Sequence, residues 1–233
     1  MEEPHIWKHG WADAYASGNV GIADDFLSLV VRPSLRALER REQELLANPD
    51  AVIAAFAVHE HGMLRDKAIT AFCLSIQSLF EQQIRSYLTT CAHSLKIPDV
   101  SIERLEKQSW GPKFDALFLK VRGLPLTSFD SYERLTFLHQ LGNACRHGDG
   151  SSCRQLYDLH PELWPDYLVL PSSQRPPFSS IIITEALLAS FIDAIVLFWM
   201  DMQRYGLESF WDGEREAVGE TIERLRLDRI SRL

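Results

Sequence analysis

Cysteine is scarce in this chain, and the little there is does not pair. Cys73, Cys91, Cys145 and Cys153 form no CxxC step, so neither a disulfide framework nor a ribbon-type zinc site is implied. They read as reduced thiols acting as small core hydrophobes. Cys145, His147 and Cys153 match no standard zinc spacing, and His59 and His61 have no carboxylate or cysteine at helical spacing on their face, which makes them surface histidines. No apolar run reaches the length of a membrane span. The opening MEEPHIWKHGW lacks the basic and apolar regions of a secretory leader, so the expectation is a cytoplasmic protein with no membrane contact. An excess of positive charge is missing too. A net charge of -8 argues against coating nucleic acid through bulk electrostatics and leaves only local charge to recruit RNA or DNA. There is no GxSxG elbow either. His147, Asp149 and Ser151 are close in sequence, but adjacency in a turn does not orient a nucleophile.

What is present is ordinary globular material. With 233 residues, 46% of them hydrophobic, the chain can bury a core without staples. The helical periodicity predicts an all-α bundle of up-and-down antiparallel helices over residues 22–206. It is preceded by an aromatic arm over 1–21 (Trp7, Trp11, Tyr15) and followed by a charged helix or tail over 207–233. Pro33 should kink or divide the helix of 22–47, and residues 36–44 form a solvated face. Asn48, Pro49 and Asp50 mark a turn and cap before a short apolar helix over 51–63 that ends near His61 and Gly62. A long helix over 64–95 follows, with Ile69, Phe72, Ile76, Leu79, Phe80, Ile84, Tyr87, Leu88 and Cys91 on its core face. Ser75, Ser78, Glu81, Gln82 and Arg85 occupy its other side. Glu81 and Arg85 stand at i and i+4, which alone makes a pair contributing about 0.3–0.5 kcal/mol.

Shorter helical segments are expected over 100–108 and 113–121, and serines after Gly150 should cap another. The β-prone runs 166–170 and 180–183 predict a small hairpin arm. Thr184 caps a helix that ends at Gly206. It is apolar nearly all round, yet Glu185 and Asp193 mark it as buried between helices instead of in lipid. In the tail, acids alternate with arginines, which favours an intramolecular charged helix over a phosphate-binding one.

The stretch from Asp130 to Ser152 carries the chemistry. Asp130 and Glu133 give a capping pattern, and Gly148 stops the helix after Arg146 and His147. At roughly 100° per residue, Phe137, Leu138, Leu141, Ala144 and Cys145 fall on one side, while Tyr132, His139, Asn143, Arg146 and His147 gather on the other. Capping and the helix dipole account for Arg146, His147 and Gly148. They do not ask for Asn143 in mid-helix, nor for His139 one turn before it. That surplus motivates a functional hypothesis. No metal or cofactor is called for.

The polar side of CLSIQSLFEQQIRSYL, followed by a helix ending in Asn143-x-x-x-His147-Gly148, resembles the HEPN superfamily, the helical domains of bacterial toxins and antiviral ribonucleases. The resemblance covers about residues 64–150. In those ribonucleases the motif is Arg, a polar residue often Asn, several variable residues, then His. Asn143 and His147 match it, Gly142 stands where its arginine belongs, and Arg146 lies about one turn away on the same face. The resemblance implies a homodimer in which paired motifs face one RNA-sized cleft. It also implies metal-independent cleavage, with His147 as general acid or base and a cation on the phosphate, so that on this resemblance His147, Asn143 and Arg146 are the candidate catalytic residues and His139, Glu81 and Arg85 the candidate substrate contacts. The alternative is a non-catalytic interaction subunit that dimerises and holds a protein partner through 1–21 and 207–233.

Overall fold

The structure, a computed structural model, describes residues 11–97, 100–167, 175–210 and 216–232. Expectations placed on Trp7, Trp211 and residues 168–170 lie outside them. The described residues are all-α: α1 (Ala16–Asp25), α2 (Arg32–Leu46), α3 (Ala51–Leu95), α4 (Ile102–Lys107), α5 (Pro112–Arg122), α6 (Tyr132–His147), α7 (Ser151–Leu159), α8 (Glu185–Phe210) and α9 (Glu216–Ile230). No strand occurs among them. Pro165–Tyr167 is a 3-10 turn, Ser180 closes another, and Ile182 donates its N–H to the Leu163 carbonyl at 2.8 Å without building a ladder, so the described part of the expected hairpin does not form.

Several boundaries differ from the expected ones for physical reasons. Pro33 sits at the start of α2, directly after a π-helical turn over Phe26–Val31 that divides the predicted 22–47 helix. Such a turn accommodates the missing N–H of a proline. The predicted break near Gly62 is absent, and α3 runs unbroken for 45 residues. An interior glycine costs a helix only about 1 kcal/mol, and next to it the buried His61 ring is hydrogen-bonded through Nε2 to the Leu38 carbonyl of α2 at 2.8 Å. His61 is thus a buried residue and not a surface one. Asp50 caps α3 as expected, accepting from the N–H groups of Val52 and Ile53. The serines of α7 lie inside its first turn, and the cap position belongs to Gly150. Helix α8 passes through Gly206 because that glycine serves close packing instead of termination. A β-carbon there would lie 2.9 Å from the Asp13 β-carbon.

The chain divides into two compact units, the first holding residues up to 24, 79–136 and from 192 onward, the second 25–78 and 137–191. The first unit is built on an aromatic core. Phe80 meets Phe198 edge-on with centroids 5.4 Å apart, and Phe129 packs on Phe198 at 4.9 Å. Into it is set a buried ion pair, Arg122 to Asp13 at 2.9 Å, with the Tyr87 hydroxyl donating to the same carboxylate oxygen at 2.6 Å. Helix α9 is tied to this unit by Arg226 to Glu208 and Arg229 to Asp201, both at 2.9 Å, so these two arginines pair within the chain as expected. Asp130 also meets Arg229.

In the second unit Phe137 stacks on the His160 ring with centroids 3.6 Å apart and meets Phe191 edge-on. Trp164 is fully buried and donates to the Pro177 carbonyl at 3.0 Å. The start of α3 is apolar but uncovered: Val52 is 67% and Phe56 71% exposed. No helix among the described residues is long and apolar enough to cross a membrane.

Candidate functional site

The second unit contains the greater part of the predicted stripe, and it reorganises that stripe around a residue the periodicity does not select. Gln77 lies on α3 and is only 2% exposed. Its carboxamide fills the place beside Gly142, where a β-carbon would come within 2.0 Å of Gln77 Oε1. Glycine at 142 is what lets α6 approach α3 there, and a larger side chain at that position would meet the Gln77 carboxamide.

Around that contact four side chains close a ring. Arg146 donates from Nη2 to Gln77 Oε1 and from Nη1 to Asn143 Oδ1, each at 3.4 Å. Gln77 Nε2 lies 3.3 Å from His139 Nδ1, and Asn143 Nδ2 lies 3.0 Å from His139 Nε2. His139, Asn143 and Arg146 are therefore brought together, with His139 and Asn143 half-buried and Arg146 exposed. Near the ring, the Cys73 thiol is held well above its ordinary range by its hydrogen bond with Cys145 and then by burial. Asn143 also forms part of the wall of a cavity of about 320 Å³ between α6 and α7, with Gln140, Ser152, Gln155, Asp158 and Leu159.

The other predicted residues stand apart from the ring. His147 is exposed in the last turn of α6, directly before Gly148, whose left-handed φ of +61° ends the helix as the sequence implies. Tyr132 belongs to the first unit, where its hydroxyl donates to Asp115 Oδ2 at 2.9 Å. Glu81 and Arg85 belong to that unit too, paired at 2.9 Å, with Arg85 also donating to the Gln108 carbonyl at 3.4 Å. Asp149 accepts the Phe178 N–H at 2.5 Å through Oδ1, a contact that ties the turn after α6 to the 3-10 turn at Phe178. Among the described residues no group of three or more His, Cys, Asp or Glu is placed to hold a metal.

Gln77 is the member of this cluster that sequence reasoning missed. Its one signal is a polar residue directly after Ile76 on the core side of a long helix, where an amide needs a buried partner. Comparison with family models, curated proteins and solved structures finds no match for this chain.

Proposed function

We propose that this protein acts on RNA as a metal-independent endoribonuclease of HEPN type, or a weakened relative of one, in a bacterial defence or toxin–antitoxin system. The observation that carries the reading is the convergence of His139, Asn143 and Arg146 on one side of α6, with His147 next in the chain. In such a reaction the 2′-oxygen attacks the adjacent phosphorus as the bond to the 5′-oxygen breaks. A histidine takes the 2′ proton, and the leaving oxygen gains one. Arg146 opposes the charge that builds on the phosphate.

The test uses the full chain with transfer RNA and mixed RNA in EDTA, beside Asn143→Ala and His147→Ala. Cleavage by the wild type that both substitutions abolish is the expected result. Cleavage that persists unchanged in both variants removes the assignment.

A second reading, a homodimeric interaction subunit that holds a protein partner, is favoured by the uncovered apolar start of α3. Val52, Phe56, Met63 and Leu64 are each more than half exposed there, and such a patch favours association. Light scattering on wild type and Phe56→Asp tests it: an unchanged mass in both counts against this surface.

A further inference from the structure

The cysteines show no pairing in their spacing, but the crossing of α3 and α6 brings two of them together. The crossing is built on Gln77 and Gly142, where a side chain of one helix lies against the bare Cα of the other. Gln77 also accepts from Arg146 at 3.4 Å and faces His139 at 3.3 Å, so this face of α3 meets successive turns of α6. Cys73 lies one turn before Gln77 on α3, and Cys145 lies one turn after Gly142 on α6. The two thiols meet there and are hydrogen-bonded to each other. A disulfide needs Cα atoms within about 7 Å, and a glycine at a crossing lets two helices pack at the close end of their usual range. Cys73 is fully buried, whereas Cys145 is half-buried and is the one cysteine of the four that solvent reaches. Cys91 belongs to the first unit, and Cys153 is buried in α7.

We propose that Cys145 and Cys73 form an oxidation site for hydroperoxides, in which Cys145 meets the oxidant and Cys73 resolves the product into a disulfide joining α3 to α6. In the first step the Cys145 sulfur, as thiolate, attacks one oxygen of the peroxide. The O–O bond breaks, the sulfur is oxidised to a sulfenic acid, and the departing oxygen takes up the thiol proton. In the second step the Cys73 sulfur forms the S–S bond as the S–O bond on Cys145 breaks. The Cys73 proton leaves with that hydroxyl as water. With hydrogen peroxide, two thiols and one peroxide give one disulfide and two waters. Access sets the order of the two residues. Cys73 is closed to solvent, and its thiol is held well above its ordinary range, so it is a poor first nucleophile but is already in contact with the sulfur it must join. Cys145 directly precedes Arg146 and His147, so the bond pins the last turn of α6 to α3. The bond follows from the helix crossing and does not depend on the RNA reading.

The test treats the folded full chain with hydrogen peroxide, quenches it in acid, alkylates the remaining thiols under denaturing conditions and maps the tryptic peptides by mass. Trypsin isolates Cys73 in peptide 68–85 and Cys145 in peptide 135–146, each as its sole cysteine. The expected result is a joined pair of these peptides, two hydrogens lighter than their sum, with Cys91 and Cys153 still alkylated. Reduction should release both peptides. Closing a loop of this length should raise the melting temperature of the oxidised chain by about 5–15 °C, and added reductant should reverse the rise. In Cys73→Ser the sulfenic acid on Cys145 has no resolving thiol, so dimedone should label Cys145 there and label it much less in wild type. The wild-type map decides the matter even if that variant does not fold. Four alkylated cysteines after oxidation, a bridge that uses Cys91 or Cys153 in place of either partner, or equal dimedone labelling of Cys145 in both proteins overturns the proposal.

Discussion

A methyl group added at Gly142 would be 2.0 Å from the Gln77 carboxamide oxygen. In an unencumbered helix, glycine to alanine gains about 1 kcal/mol. Here the neighbour is a buried side chain held by Arg146 and His139, and overpacking of that kind costs about 1–3 kcal/mol. Gly142→Ala should therefore lower stability in urea unfolding, and the same substitution made in Gln77→Ala should raise it by about 1 kcal/mol. A gain in both backgrounds would mean that Gln77 is not locked against the helix. A second residue-scale prediction concerns Cys91, whose thiol burial pushes up to about 11 from its ordinary 9.0, with Arg122 opposing. The folded state then keeps a proton that the unfolded state releases first. Stability from this group is complete below pH 9 and falls between pH 9 and about 11, by roughly 2–3 kcal/mol at most. Cys91→Ser should flatten that fall in urea titrations at pH 8.5 and 10.5. Tyr87, whose phenol is pushed up by burial and then by the neighbouring Cys91 thiolate, loses that second contribution in Cys91→Ser, so the flattening reports both groups.

At the scale of elements, the described start of the chain is anchored by a buried charge. The turn over Trp11–Tyr15 places Asp13 where it meets Arg122 and Tyr87, all three nearly inaccessible, while Tyr15 is 53% exposed. Breaking a buried pair from one side strands the other charge and costs about 3–5 kcal/mol. Asp13→Ala should lower the unfolding free energy by that order, and Asp13→Ala with Arg122→Met should recover much of it. An effect below about 1 kcal/mol for Asp13→Ala would show the pair to be dispensable. The same contrast explains what could be read beforehand. The core face of α3, the capping glycine at 148 and the buried α8 were legible because each follows from periodicity or local backbone preference. Asp13, Gln77 and the continuation through Gly206 were not, since each depends on a partner distant in sequence: Arg122, Gly142 and Asp13 respectively. The polar stripe of α6 was legible as a stripe. Its division, with Tyr132 given to Asp115 and His139 to Gln77, was set by neighbours that no spacing within α6 encodes.

For the whole molecule the relevant quantity is charge. The chain carries a net charge of -8, and Arg226, Arg229 and Arg232 of the C-terminal region are engaged with Glu208, Asp201 and Asp24. Those cations already have carboxylate partners, so a nucleic acid would gain little by displacing them. On the proposed function, RNA held by Arg146 and the adjacent last turn of α6 involves on the order of two phosphate contacts. Each such contact on a single strand adds about -0.7 to the slope of log affinity against log salt. The expected slope is therefore about -1 to -2 between 50 and 200 mM salt, measured by anisotropy of a labelled 2′-O-methyl RNA. Arg146→Ala should make it shallower by about 0.7, while Arg226→Ala should leave it unchanged. A slope of about -4 or steeper, or one that moves with Arg226, would place the RNA on a broad basic surface and not on the side of α6 that carries Asn143.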